Sequence, residues 1–215
     1  LRIYLPLLLA LSTSSPFFEG EDTGLHSYRT KIFESLPLAG MPDHLNDWKH
    51  FVNLTEQLEK AGIIKAVKDL WWDVRPHPGF GTVEVRVCDL PVNYKEIFAL
   101  VALIQALVVK IKKENPYPDI HTQILQSNKW QAARYGLEGV FVDPITIQKL
   151  TMRKAIENLC DLVEPTLISL GSEKYIKIIE KILKRGTGSK KQRELYSASN
   201  NFKHMIQLLK EQFYQ

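Results

Sequence analysis

The sequence is short of cysteine, of one-signed charge and of long apolar runs, and each shortage removes a class of function. Two cysteines, Cys88 and Cys160, lie far apart in 215 residues. They cannot build the dense disulfide framework of a small secreted fold, and they read as thiols of a reducing compartment. The histidines include no His-x-x-x-His pair and the cysteines no Cys-x-x-Cys group, so zinc lacks its usual ligand spacing. There is no Gly-x-Ser-x-Gly elbow for a serine nucleophile, no dinucleotide glycine fingerprint and no Walker A spacing. Twenty-eight Lys and Arg against 24 Asp and Glu leave a net charge of +4, too mild to argue for a nucleic-acid partner. Leu5 to Leu11 is apolar apart from Pro6, but it is too short to span a bilayer. Tyr94 to Lys113 is longer, but Glu96, Gln105, Lys110 and Lys112 make it too polar for a span. No internal repeat or low-complexity tract occurs.

What remains is an ordinary globular composition, 45% hydrophobic and 24% charged, over a length that suits one domain, residues 1–215. Its most informative stretch is Trp71 to Asp89. From Thr82 to Cys88 the residues alternate, with Thr82, Glu84, Arg86 and Cys88 on one side and Val83, Val85 and Val87 on the other. Side chains of a strand point alternately to opposite faces, so this is a predicted β-strand with a valine side suited to the core. Leu70 to Arg75 is predicted as its partner, with Pro76, Pro78, Gly79 and Gly81 forming the connection and Arg75 near the Thr82 end. The polar face then carries one carboxylate and two guanidinium groups. Arginine offers a planar fork for phosphate or carboxylate oxygens, and glutamate offers a hard oxygen ligand for Mg²⁺. A half-exposed strand with Glu84 and Arg86 facing water explains the same alternation.

Elsewhere the pattern is mainly helical. Tyr4 to Ser12 reads as a buried helix broken by Pro16, and Ser14 to Gly24 as a polar loop rich in aromatic residues. Ile32 to Leu45 reads as irregular, and Asn46 to Ala61 as a helix ended by Gly62. Tyr94 to Lys113 is a central core helix stopped at Asn115-Pro116-Tyr117-Pro118, and Thr122 to Tyr135 a further helix stopped by Gly136. Val140 to Leu150 suits a short hairpin about Asp143-Pro144. Thr151 suits an N-cap for a helix to Ser169, kinked or restarted at Pro165. Ser172 suits the cap of the next helix, and Gly186 to Ser189 separates it from Lys190 to Ala198. That turn has free N–H groups and flanking bases that could hold phosphate, although a plain interhelical turn explains it as well. Phe202 to Phe213 closes the chain. From Gly171 onward ten Lys and Arg face four Asp and Glu, an excess of six that a solvated helical surface explains.

Four blocks, "SSPFFEGEDTGLHSYR", "WWDVRPHPGFGTVEVRVCD", "WQAARYGL" and "RGTGSKKQR", resemble in the same order the bacterial carboxylate–amine ligases, also called glutamate–cysteine ligase type 2. The resemblance covers nearly the whole chain. It implies an α+β fold of the glutamine-synthetase kind, with an antiparallel sheet built on the hairpin around residues 70–89 and a helical C-terminal half. It implies that the first residues are an internal helix of a longer ligase domain, whose amino-terminal part carries an acidic metal-binding strand and a His-containing strand. The expected activity is ATP-dependent joining of a carboxylate to an amine through γ-glutamyl phosphate, with ATP and Mg²⁺ and with glutamate and an amine such as cysteine as substrates. By resemblance Glu84 is a metal ligand, Arg75 and Arg86 act on the γ-phosphate and substrate carboxylate, and Arg29 and Arg134 bind substrate. A cytoplasmic protein, possibly a homo-oligomer, with no membrane or nucleic-acid partner is the expectation. The alternative is a truncated or degenerate relative that binds nucleotide or amino acid without turnover.

Overall fold

The computed structural model describes residues 1–113 and 120–215. The arrangement is α+β, as expected, with short two-stranded sheets set against a helical body. The body begins with α1 (Leu5–Ser12), in which all eight residues are buried. A helix apolar on every side can only lie inside other helices, and each leucine withdrawn from water contributes about 1.5–3 kcal/mol. Packed on it are α5 (Thr122–Tyr135) and α6 (Met152–Ser169), while α4 (Tyr94–Lys113) lies against α6 and α7 (Ile176–Arg185). Leu5, Leu8 and Leu9 meet Leu103, Leu107, Met152, Ile156 and Ile179 in one core. Thr151 caps α6 by accepting from the Lys154 N–H, as predicted. The chain continues as one helix through Pro165, so of the expected kink or restart the restart does not occur. The ring removes one intrahelical donor there, but the tightly packed stripe Met152, Ile156, Cys160, Val163 and Leu167 carries across it.

Several local expectations need correction. Tyr28–Glu34 forms helix α2, whose last three residues fall in the stretch from Ile32 read as irregular. Ser172 leads into a 3-10 turn, Glu173–Tyr175, without a side-chain cap. Gly186-Thr187-Gly188-Ser189 is packed rather than open. Ser189 and Thr187 are buried, the Ser189 N–H donates to the Thr13 carbonyl at 2.9 Å, and helix α8 (Gly188–Ser199) starts there. The predicted stop at Asn115-Pro116-Tyr117-Pro118 lies outside the described residues. Helices α3 (Trp48–Lys60) and α9 (Phe202–Gln212) fall where the periodicity puts them. So does the pairing of Val140–Val142 with Lys149–Thr151, whose connection starts at Asp143-Pro144.

The hairpin is shifted from its predicted frame. Its strands are β5 (Val74–His77) and β6 (Thr82–Val85), numbered after four short strands upstream. The register pairs Val74 with Val85, Arg75 with Glu84, Pro76 with Val83 and His77 with Thr82. Arg75 therefore stands opposite Glu84, not near Thr82. Pro76 belongs to the strand, a position open to proline at a sheet edge. Trp71–Trp72 (β4) instead pairs in parallel with Ala39–Gly40 (β3). Past Val85 the ladder continues with one bond, from the Arg86 N–H to the Asp73 carbonyl at 2.7 Å. Only part of the valine side enters the core: Val87 is buried, Val85 half-buried, and Val83 is 49% exposed.

Candidate functional site

The hairpin register places Arg75 on one face with Glu84, and alternation adds Asp73 and Arg86 to that face. Arg75 is buried, and its guanidinium folds inward. Nη1 donates to the carbonyls of Val67 and Leu70 at 2.9 and 2.8 Å, and Nη2 to Glu84 Oε2 at 2.6 Å. Its Nε is buried and finds no hydrogen-bond partner among the described residues. Arg86 donates from Nη1 to Glu84 Oε1 at 2.6 Å and lies 5.0 Å over the Trp71 ring. Glu84 is thus held between two guanidinium groups. Burial raises its pKa, but the Arg75 hydrogen bond and the charges of Arg86 and Arg75 outweigh that and leave the carboxyl below its ordinary value.

Helix α2 forms the adjoining wall. Arg29 Nη2 donates to the Arg86 carbonyl at 2.9 Å, and its Nη1 reaches the Val87 carbonyl and Asp89 Oδ1 at 3.4 and 3.5 Å. The same guanidinium lies 4.7 Å over Phe33, and Phe33 packs on Trp71 with ring centres 5.5 Å apart. Arg29, Phe33, Trp71 and Arg86 so form a continuous row of two cations and two aromatic rings, a contact type that holds a guanidinium plane in place. The crevice between α2 and the hairpin offers only about 10 Å³, room for little more than a water molecule. A larger ligand has to meet this face from outside, where the Arg86 side chain is 26% exposed.

Beneath the row, Lys129 of α5 is 2% exposed and donates to Asp73 Oδ2 at 2.5 Å and pairs with Glu34 Oε1 at 2.9 Å. Glu34 also takes Lys31 at 2.7 Å. Burial raises the pKa of Glu34, but Lys129 and Lys31 together bring it below the usual range. Asp73 is deeper and has a single ammonium partner, and burial pushes its carboxyl up against the pull of Lys129.

Asp89 is a second buried hub. Its carboxylate accepts from the Ser14 N–H and Ser15 Oγ at 2.8 Å each and from Ser27 Oγ at 2.9 Å. The polar loop before α2 is thereby tied to the end of the hairpin. Its outer part is held by two other arginines. Arg134 Nη1 donates to the Gly24 carbonyl at 2.6 Å. Arg193 grips Asp22 with two hydrogen bonds, at 2.7 and 2.8 Å, and also reaches the Leu25 carbonyl.

Of the residues marked from sequence, Arg75, Glu84 and Arg86 come together, Arg29 joins them through the main chain of Arg86, and Arg134 goes to the loop. Sequence reasoning missed Asp73, Asp89, Lys129, Phe33 and the stacking role of Trp71. Alternation from Arg75 would have found Asp73. Lys129 falls at helical spacing in the buried stripe Leu125, Lys129, Ala132, Ala133, and a lysine there demands a carboxylate partner. The thiols offer no nucleophile: burial pushes Cys88 up to about 11 and Cys160 up to about 12.

A Mg²⁺ ion tests this donor set directly. Among the described residues no group of three or more His, Cys, Asp or Glu could hold a metal, and both Glu84 oxygens already accept from arginine. Mg²⁺ usually takes one or two carboxylates plus waters and substrate phosphates. Glu84 fits as one such ligand and does not make a site by itself. No described helix is long and apolar enough to cross a membrane.

The sequence profile of glutamate–cysteine ligase family 2 matches residues 1–212. Among curated proteins, one from Gloeobacter violaceus is 43% identical over 202 residues, covering 92% of this chain and 54% of its own length. Others from Solibacter usitatus and Herpetosiphon aurantiacus are 36% and 37% identical over 215 residues, covering 98% of this chain and 56% of their own lengths. All three are named, provisionally, glutamate–cysteine ligase 2. The chain spans about half the length of the curated relatives it matches.

Proposed function

The chain belongs to glutamate–cysteine ligase family 2, and from that premise we infer that it is part of an ATP-dependent carboxylate–amine ligase acting on small molecules in the cytoplasm. The single observation that carries the reading is Arg86. Its guanidinium is held by Glu84 and by the Trp71 ring while its side chain stays 26% exposed. Such a preoriented fork suits phosphate oxygens.

In the proposed reaction a γ-carboxylate oxygen of glutamate attacks the terminal phosphorus of ATP. The bond to the leaving ADP breaks and an acyl phosphate forms. The amine nitrogen of a second substrate, cysteine in the relatives' name, then attacks the acyl carbon. The carbon–nitrogen bond replaces the carbon–oxygen bond, phosphate leaves and the nitrogen loses a proton. Arg86 orients the transferred phosphoryl group. Arg75, with its donors on Val67, Leu70 and Glu84, holds Glu84 and so the second brace of Arg86. Arg29 and Arg134 would act on the substrate side of the proposed site, Arg29 from its contact with the Arg86 carbonyl and Arg134 through the loop it holds at Gly24. Mg²⁺, carried in on the nucleotide, would neutralise phosphate charge, with Glu84 one of several ligands.

The test is glutamate- and amine-dependent ADP release by the intact protein, screened over amino acids. Arg86→Met is expected to lower kcat/KM by about 10²–10³-fold, the size found when one preorganised donor to a developing charge is removed. Its folding should persist, since the side chain is part-exposed. Turnover within a factor of about three of the unaltered protein would sink the role of Arg86. A second reading, ligand binding without turnover, draws on the arginine contacts that occupy both oxygens of Glu84. It predicts nucleotide binding with no ADP released under any amino-acid pair.

A further inference from the structure

We propose that Lys129 is a positioning residue, which sets α2 against the hairpin and thereby fixes Arg86 for its ligand; this rests on the ligase reading above. Asp73 is the pivot. Its N–H donates to the Gly40 carbonyl and its carbonyl accepts from the Arg86 N–H, both at 2.7 Å, so the Asp73 backbone is coupled directly to that of Arg86. Among the described residues the Asp73 side chain pairs with one cation, Lys129, at 2.5 Å.

The same ammonium holds Glu34 at the last turn of α2, while Arg29 near its first turn holds the Arg86 carbonyl. Helix α2 is therefore tied to the hairpin at both ends, and Lys129 makes one of the two ties. Between them sit Phe33 and Trp71, the rings that carry the Arg86 plane. A lysine kept this far from water is otherwise unfavourable, and hydrophobic residues of similar volume often stabilise a fold as well or better. The arrangement is better suited to fixing geometry than to adding stability.

Lys129→Met alone would leave the Asp73 carboxylate buried without its ammonium, while Glu34 keeps Lys31, so the decisive variant is neutral throughout: Lys129→Met with Glu34→Gln and Asp73→Asn. Two measurements on the intact protein decide the matter, steady-state kinetics and amide hydrogen exchange. The neutral variant is expected to raise the KM for nucleotide or glutamate by about tenfold with kcat changed much less, the equivalent of one lost charge-assisted hydrogen bond. The Arg86 and Asp73 amides should exchange at least about tenfold faster while amides of α6 keep their protection. Lys129→Arg should recover most of both losses.

Unaltered KM and unaltered exchange at Arg86 would overturn the proposal. So would uniform loss of protection across the molecule with kcat lowered and KM unchanged, since that is what a merely structural pair would do. Should the unaltered protein release no ADP, the ligase reading fails by itself, and exchange at Arg86 still decides for or against Lys129.

Discussion

Asp89 gives the sharpest test of how the polar loop is held. Its side chain is 2% exposed, and three donors converge on it within 2.9 Å, with Arg29 at 3.5 Å. Asp89→Ala leaves these donors without their acceptor. The Ser15 hydroxyl can rotate, and Ser27 retains its bond to Thr30 at 2.7 Å, but the Ser14 N–H is fixed by the main chain. Hydrogen bonds to an ionised acceptor contribute about 1.5–3 kcal/mol each, so three simple additions would give roughly 4.5–9 kcal/mol. Additivity fails for donors sharing one acceptor, and the variant also removes the cost of burying a carboxylate. The expected net loss is about 3–5 kcal/mol, the range for breaking a buried pair from one side. At this chain length that lowers Tm by about 10 °C. Asp89→Asn keeps one oxygen and the shape, and should lose about half as much. Urea unfolding followed by both circular dichroism and tryptophan fluorescence reads the change, with an unchanged m-value as the sign that stability alone has moved. A loss for Asp89→Ala below about 1 kcal/mol would mean that packing of Phe17 and Phe18, not this carboxylate, organises the loop.

Two further outcomes follow from the junction of this loop with α8. His26 faces Ser189 at 2.7 Å, and burial, helped by the nearby Arg193 charge, lowers its pKa to about 4. The unfolded chain takes up a proton near pH 6.5 and the folded one does not until about pH 4, so stability is full above pH 6.5 and falls as pH drops through that window. With allowance for screening of a partly exposed ring, about 2 kcal/mol should be lost. Between pH 7 and 4.5 the unfolding free energy should fall by about 2 kcal/mol more in the natural protein than in His26→Gln, where only the carboxylates contribute, and equal slopes would contradict it. Gly136 ends α5 at φ +56°, and an added Cβ would stand 2.7 Å from His26 Nδ1. Gly136→Ala therefore meets both left-handed backbone strain and a buried ring, and should cost about 2–4 kcal/mol in chemical denaturation. A change within experimental scatter would mean that the loop yields freely there.

The sequence made some of this legible through periodicity alone. Alternation exposed β6, and helical spacing exposed α3, α4, α5 and α6, because in each case one side chain pattern has to meet a core. The hairpin register was not legible. Pro76 looked like a breaker, yet on an edge strand its missing donor faces no partner, so the strand runs on to His77. Helix α2 was hidden because its seven residues are too few for a periodic signal, and its position depends on Arg29 and Glu34 reaching other elements. The site residues divide the same way. Glu84 and Arg86 can be seen as neighbours on one strand face. The Asp89 hub and the Lys129 pair join residues up to 95 positions apart, from Glu34 to Lys129, and no local pattern encodes such contacts.

The same geometry changes what the arginines mean. Arg29, Arg75 and Arg134 each direct donors to main-chain carbonyls, at Arg86, at Val67 and Leu70, and at Gly24. Two-stranded sheets leave many carbonyls without a ladder partner, and a planar fork can satisfy two at once where a lysine cannot. Residues that read from sequence as ligands for an anion thus serve first as ties for a small sheet. Around the row the charges nearly cancel: Arg29, Lys31, Arg75, Arg86 and Lys129 stand against Glu34, Asp73, Glu84 and Asp89. A net charge of one cannot attract phosphate by a broad field at physiological salt, where screening acts within about 8 Å. On the proposed reading, recognition at this face is directional and short-ranged. It rests on Arg86 and on the contacts that hold its guanidinium against Glu84 and Trp71.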